Sequence, residues 1–339
     1  MPRPGGIVPD SLKMPMRRHV ITGGLGFTGR VLMKAILERG ESVALFDSAE
    51  PVDPLPANVD FIHGDVRVAK DVARIGIRSG DIVYHLAARQ FHSSVPKRGR
   101  DAWFADVNVG GTATLLEAMQ HGSAGGLIFF STDMVYGIPQ TNPVPTYHPP
   151  GPLGPYGRSK IQAENLIADA RTKGLRATVF RPRLIIGPNR LGILGKLFRL
   201  IAANLPVPMI GSGANHYQMV SVFDCASAAM QALDAGLPPG PFHLGSKNPP
   251  TVRQLLTKLI DEAGSRSILV RLPCFPVKST LRELDRVGLS LLYPEQFLIA
   301  DCDYVLDTTE TGFALGWEPK QDDASMMIEA YKTFHASLR

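Results

Sequence analysis

Long apolar runs are missing from this 339-residue chain: none approaches the roughly 20 residues that a bilayer-spanning helix needs. The first 16 residues hold four prolines and two glycines, and no apolar stretch of the ~7–15 residues that a secretory signal requires. They read as a flexible extension, with Met14 or Met16 as alternative translation starts. Cysteine is scarce. Cys225, Cys274 and Cys302 lie far apart without paired spacing, so neither a disulfide framework nor a metal site is expected, and a reducing cytoplasm fits. Strong charge is also lacking: the net +5 is mild and spread out, and a cluster such as Lys97-Arg98-Gly99-Arg100 reads as a solvated loop. No nucleic-acid signature, internal repeat or low-complexity tract is present. What remains is an ordinary globular balance of 44% hydrophobic and 20% charged residues.

The length suits one large α/β domain and a smaller lobe. In the N-terminal half, short apolar runs alternate with helix-patterned stretches. His19-Val20-Ile21, Val43-Ala44-Leu45-Phe46, Phe61-Ile62, Ile82-Val83-Tyr84-His85-Leu86, Leu127-Ile128-Phe129-Phe130 and Ala177-Thr178-Val179-Phe180 read as strands. Thr28 to Glu38, Val107 to Met119 and Ile161 to Ala170 read as helices between them. Such alternation implies parallel pairing through crossovers, hence a doubly wound parallel sheet. Past residue 180 the pattern shifts to helical stretches at 192–203, 222–234 and 251–263, divided by Pro/Gly-rich joints. Segment 268–300 is apolar without clear period. The expected organisation is an extension over 1–16, a sheet domain over 17–180 with about 220–245, and a substrate-binding lobe over 181–219 and 246–339.

Chemistry enters first at Thr22-Gly23-Gly24-Leu25-Gly26-Phe27-Thr28-Gly29, where Gly23, Gly26 and Gly29 stand between a strand and a helix. Glycines tighten such a turn and let backbone approach a pyrophosphate, while Phe27 and Thr28 open a helix whose N-terminal amides favour an anion. Asp47 closes the second strand, where a carboxylate accepts the ribose hydroxyls of an adenosine and repels a 2′-phosphate. No arginine follows it directly. The expected fold is therefore a Rossmann sheet, and the expected cofactor is NAD in preference to NADP.

Tyr156 and Lys160 lie one helical turn apart and share a face. A free phenol, with pKa near 10, is a poor base at neutral pH. A neighbouring ammonium favours the phenolate, which can take a hydroxyl proton as hydride leaves for the cofactor.

With these motifs the chain resembles the extended short-chain dehydrogenases/reductases, the NAD-dependent epimerase/dehydratase group of nucleotide-sugar enzymes. The resemblance runs from about residue 18 to 320. Beside the turn, Asp47 and the Tyr156/Lys160 pair, it rests on Gly64-Asp65-Val66, His85-Leu86-Ala87-Ala88, Asn108-Val109-Gly110-Gly111-Thr112, Ser131-Thr132-Asp133-Met134-Val135-Tyr136-Gly137, Arg181-Pro182 and Leu315-Gly316-Trp317-Glu318-Pro319. It implies that Asp65 and Val66 contact the adenine, that Leu86, Ala87 and Ala88 line the cofactor, and that Lys160 also holds the nicotinamide ribose. Thr132 would bind the reacting oxygen, with Asp133 beside it. Asn108 would fix backbone near the cofactor. His85 reads as a satisfied core histidine, and His92 and Ser93 fall in a loop that borders the substrate. A homodimer through the helices carrying Asn108–Met119 and Tyr156–Ala170 is a further implication.

Two departures bear on the reaction. The related 4,6-dehydratases carry Asp-Glu after the threonine, but here the glutamate position is Met134, and a thioether is no general base. In the small lobe, Tyr217 stands where nucleotide-sugar enzymes usually place an arginine against the diphosphate, leaving Arg183, Arg190 or Arg199 as substitutes. The leading expectation is a nucleotide-sugar epimerase working through transient C4 oxidation. The alternatives are an alcohol dehydrogenase or reductase on a non-nucleotide substrate, and a nucleotide-sugar dehydratase or decarboxylase.

Overall fold

Six of the apolar runs, joined by a seventh late in the chain, become one parallel sheet. The structure, a computed structural model, describes residues 17–91, 95–190, 192 and 194–338. The expected extension over 1–16 lies outside them, as do His92 and Ser93. The first half runs β1 (Arg18–Thr22), α1 (Phe27–Leu37), β2 (Ser42–Asp47), β3 (Val59–His63), α2 (Ala69–Ala73), β4 (Ile82–His85) and α3 (Arg100–Ala105). A π-helical turn (Asp106–Gly111) leads into α4 (Thr112–His121) and β5 (Gly126–Phe130), and a 3-10 turn (Asp133–Val135) precedes α5 (Pro155–Thr172) and β6 (Ala177–Pro182).

Then come β7 (Leu184–Ile186), α6 (Leu194–Ala202), β8 (Val207–Ile210), β9 (Met219–Ser221), α7 (Val222–Asp234) and β10 (Phe242–Leu244). The chain ends with α8 (Val252–Glu262), β11 (Leu269–Leu272), α9 (Cys274–Arg286), α10 (Pro294–Phe297), α11 (Thr309–Leu315) and α12 (Asp323–Ala336).

The sheet order is β10-β6-β5-β4-β1-β2-β3, every pair parallel. Its inner strands are buried on both faces, which is why they read as continuous apolar runs instead of alternating ones. One face packs on α1 and α7 through Leu32, Ile36, Ala229 and Leu233. The other packs on α4 and α5 through Leu115, Met119, Ala163 and Ile167. Strand order reverses between β1 and β4. The loops leaving these strands therefore diverge, and a crevice opens at their carboxyl ends.

The lobe has its own core, with Phe198, Met209, Leu256, Leu259, Met327 and Phe334 joining α6, β8, α8 and α12. Three details differ from the sequence reading. Residues 309–317 return to the sheet domain instead of staying in the lobe: Leu315 and Trp317 enter its core, and the Trp317 indole donates to the Asp224 carbonyl at 3.0 Å. The helix expected over Val107–Met119 begins as a π turn, where Gly111 passes so close to Val66 that a Cβ would lie 2.5 Å from its Cγ1. The unpatterned 268–300 holds a strand, which pairs with β8 of the lobe, and two helices. Among the described residues, no helix is long and apolar enough to cross a membrane, and no three His, Cys, Asp or Glu side chains are grouped to hold a metal.

Candidate active site

The glycine turn sits at the crevice. Gly23 takes φ +70°, and a Cβ there would come within 2.7 Å of the Ala87 amide nitrogen. A Cβ on Gly29 would lie 2.6 Å from the Gly24 carbonyl, so helix α1 can seat this close to β1 only with glycine. Gly26 caps α1 without a side-chain bond, and no carboxylate occupies the first turn, which leaves an anion-favouring helix end facing the cleft. The Asp47 carboxylate accepts the amides of Leu25 and Ala49, both at 3.0 Å, and so is fixed at the tip of β2.

A cleft of about 660 Å³ opens over these groups. Gly23, Gly26, Phe27, Thr28, Gly29 and Asp47 line one part of it, and Asp65, Val66, Leu86, Ala87 and Ala88 another. Asp65 is held by Arg67, which also pairs with Asp106. This donor set suits a dinucleotide: backbone amides without side chains for the diphosphate, a fixed carboxylate for a ribose diol, and apolar walls for the rings.

Behind the cleft, Asn108 accepts the Arg89 amide (2.8 Å), donates back to its carbonyl (3.2 Å), and donates to Ser159 Oγ at 2.9 Å. Ser159 in turn donates to the Tyr156 carbonyl at 2.7 Å. One asparagine therefore ties the loop after β4 to the first turn of the catalytic helix. His85 is a core histidine, its ring nitrogens bonded to Thr22 Oγ1 (2.7 Å) and Thr112 Oγ1 (2.9 Å), and burial drives its pKa down to about 3.

Tyr156 is the second residue of α5, after Pro155 has set the first turn. Its ring meets Phe91 edge-on at 5.5 Å, with Phe104 at 5.8 Å. The Thr132 hydroxyl faces the phenol, and Thr132 caps the 3-10 turn by accepting the Met134 amide at 3.2 Å. A second cleft, of about 480 Å³, is bordered by Thr132, Asp133, Met134, Tyr156, Arg183 and Tyr217. It adjoins the first through Gln90, Ser131, Ile185, Gly192 and Arg190. Arg190 thus borders both, with its guanidinium 5.1 Å from the Phe27 ring centre.

This layout, a dinucleotide cleft opening into a second one beside a Tyr-x-x-x-Lys helix, spans the residues (19–245) over which the chain matches the profile described as the NAD dependent epimerase/dehydratase family. The chain belongs to that family. It is 30% identical to the uncharacterized protein y4nG of Sinorhizobium fredii (strain NBRC 101917 / NGR234) across 95% of this chain and 80% of that one. It is also 27% identical to the dTDP-glucose 4,6-dehydratase of Streptomyces niveus, over 94% of this chain and 92% of the relative. Among solved structures it is similar to the UDP-glucose 4-epimerase of Thermotoga maritima, crystallised with UDP-glucose. That likeness has a TM-score of 0.77 and 26% identity, covering 95% of this chain and 100% of that one. The chain is therefore an enzyme of the epimerase/dehydratase family, whose cofactor is NAD.

Within this family member, the electrostatics around Tyr156 differ from the sequence expectation. Burial, followed by the charges of Glu295 and Asp133, raises the phenol's pKa, and the opposing influences are Arg190 and the Thr132 hydroxyl. Lys160 is 3% exposed, its ammonium stacked 4.0 Å over the Phe129 ring, and burial pulls its pKa down to about 7. Arg190 is thus a cation that favours the phenolate, beside the role expected of Lys160.

Arg183 and Asp133 form a buried ion pair, and the guanidinium lies between the rings of Tyr304 (4.0 Å) and Tyr217 (4.4 Å). Arg199 bonds back to its own helix at the Gly195 carbonyl (3.0 Å) and does not border the second cleft. Sequence reading missed Phe91 and Tyr293, whose stacked rings (4.7 Å) wall the second cleft, and Glu295, whose carboxylate accepts the Gly157 amide at 3.1 Å. No spacing rule pairs residues 138 positions apart.

Proposed function

We propose that this enzyme is an NAD-dependent epimerase acting on a nucleotide sugar through transient oxidation at C4. The observation that carries this reading is the carboxylate inventory of the second cleft. Among the described residues bordering it, Asp133 is the one carboxylate, and it is held by Arg183, while the next position is Met134. Elimination of a sugar hydroxyl needs an acid and a base beyond the tyrosine, and among the described residues this cleft offers no free carboxylate for either role. Removing and returning a hydride needs only the tyrosine, a hydroxyl anchor and room for the sugar to turn.

NAD, which Gly23, Gly26, Gly29 and Asp47 would hold, would supply a reversible hydride acceptor beside the sugar. The Tyr156 phenolate takes the C4 hydroxyl proton and later returns it, and with the hydride also returned no net redox change remains. Thr132 Oγ1 holds the reacting oxygen beside the phenol, and Phe91, Phe104 and Tyr293 keep bulk water from it. Arg190, bordering both clefts, opposes the burial that holds the phenol neutral.

The test is to denature the purified protein, identify the released small molecules by mass spectrometry, and follow UDP- and dTDP-hexoses by NMR. Retained NAD⁺ and inversion at C4 without net NADH formation would support the epimerase. A 4-keto-6-deoxy product would refute it in favour of dehydration.

A second reading, a reductase on a non-nucleotide alcohol or ketone, is favoured by one feature. Leu184, Leu291, Leu292 and Tyr293 make much of the second cleft apolar, and Tyr217 supplies no guanidinium. Stoichiometric NADH consumption on an apolar ketone, with no sugar turnover, would decide for it.

A further inference from the structure

Glu295 is 3% exposed and lies outside both clefts, yet its charge acts on Tyr156. It belongs to α10, in the segment whose Tyr293 and Gln296 border the second cleft. Its carboxyl reaches the first turn of α5, where Oε1 accepts the Gly157 amide at 3.1 Å and faces that of Tyr156. The seat is tailored to it, because a Cβ on Gly154 would lie 2.5 Å from both Cγ and Oε1 of Glu295. The other oxygen, Oε2, is buried without a hydrogen-bond partner among the described residues. A fully ionised carboxylate in that position would leave a charge unsolvated, a larger cost than leaving a neutral carboxyl oxygen without a partner.

We propose that Glu295 is a positioning residue for Tyr156: its carboxyl docks the cleft-lining segment 293–297 onto the first turn of the catalytic helix, and its negative charge, when present, opposes that of a phenolate. The charged groups around it do not cancel this effect. Arg158 from α5 and Asp101 from α3 both act on Glu295, but they pair with each other at 2.7 Å. Also acting on the phenol are Asp133, itself paired with Arg183, and Arg190. Among the described residues Glu295 therefore has no cation of its own, and burial raises its pKa to about 7, close to the working range of an enzyme. Below that pH the latch is neutral and the phenol loses its proton more readily. Above it the buried charge opposes the phenolate.

This inference rests on Tyr156 being the base of the proposed function, so its test does not depend on knowing the sugar. The NAD-saturated enzyme is labelled with ¹³Cζ-tyrosine, and Tyr156 is assigned by the signal missing in Tyr156→Phe. The onset of its ionisation is then compared between wild type and Glu295→Gln, which keeps an oxygen for the Gly157 amide but no charge. The expected result is an onset ~1 pH unit lower in Glu295→Gln. Coincident onsets would overturn the proposal. A second titration needs no variant to fold: ¹³Cδ-glutamate in the wild-type holoenzyme should show one carboxyl with its midpoint near neutrality, and the absence of any such carboxyl would overturn it as well. Where wild type turns over a nucleotide sugar, the acid limb of its kcat/KM profile should shift with the same variant. Failure of wild type to turn over any sugar would sink the proposed function alone, because both titrations would still decide the role of Glu295.

Discussion

Replacing Arg183 with methionine should cost this protein several kcal/mol, and replacing Asp133 as well should restore most of it. The Asp133 carboxylate and the Arg183 guanidinium are both almost inaccessible, and Nε and Nη2 of Arg183 have no hydrogen-bond acceptor among the described residues. The cation is held instead by Asp133 and by the rings of Tyr304 and Tyr217. Breaking a buried pair from one side leaves an uncompensated charge, at a cost of about 3–5 kcal/mol, whereas swapping both partners for apolar groups is often neutral or better. Arg183→Met and Asp133→Leu should each lose that much, and the double variant should fall within ~1 kcal/mol of wild type. The assay is urea unfolding followed by two probes, read as midpoints at constant m so that partial unfolding of one lobe is detected. Single variants within ~1 kcal/mol of wild type, or losses that simply add, would refute the reasoning and free Asp133 for proton transfer.

Tyr156→Phe should cut turnover by ~10²–10⁴-fold while cofactor affinity is kept, as measured by steady-state kinetics beside NAD⁺ titration. Gly23→Ala forces a Cβ to within 2.9 Å of three backbone atoms at φ +70°. It should cost ~1–3 kcal/mol in unfolding and weaken NAD⁺ binding, and an unchanged binding isotherm would contradict the close approach of turn to cleft. His85 is buried as the neutral ring with its pKa down to about 3, against about 6.5 unfolded. Above pH 6.5 neither state binds the proton. As pH falls below that, the unfolded chain takes it up first, so stability drops by ~2 kcal/mol per histidine at pH 5 and continues downward toward pH 3. His85→Gln should flatten that part of the stability curve, as urea midpoints at pH 7 and 5 would show.

What could be read from the sequence was what is local. Val20-Ile21, Val43 to Phe46 and Leu127 to Phe129 are apolar without alternation because helices cover both faces of the sheet, and runs of that kind are visible one at a time. The glycine turn needs three residues in seven. The helix expected over Ile161–Ala170 begins earlier, at Pro155, but Tyr156 and Lys160 share its face by spacing. The missed features join distant parts of the chain. β10 could not be seen as an edge strand, since three residues with no alternation mean nothing until β6 lies beside them. Glu295 looked like any acid in an unpatterned stretch, because its meaning comes from Gly154 and Gly157. Trp317 was noted as a motif, but nothing local says that its indole closes on the Asp224 carbonyl.

The Tyr156/Lys160 pair shows the same limit within one helical turn. Spacing establishes that the two side chains share a face, but whether the ammonium can assist the phenol depends on the dielectric around both. Burial disfavours whichever form is charged, so one environment raises the tyrosine and lowers the lysine. With its pKa near 7, Lys160 carries only part of a charge at neutral pH, and that part lies against the Phe129 ring. A phenolate here consequently draws on a charge that burial cannot remove. A guanidinium is such a charge, because even when burial lowers its pKa it starts far above neutrality. Arg190 meets that condition and stands where the two clefts join, so the loop after β7 contributes to the basicity of the tyrosine.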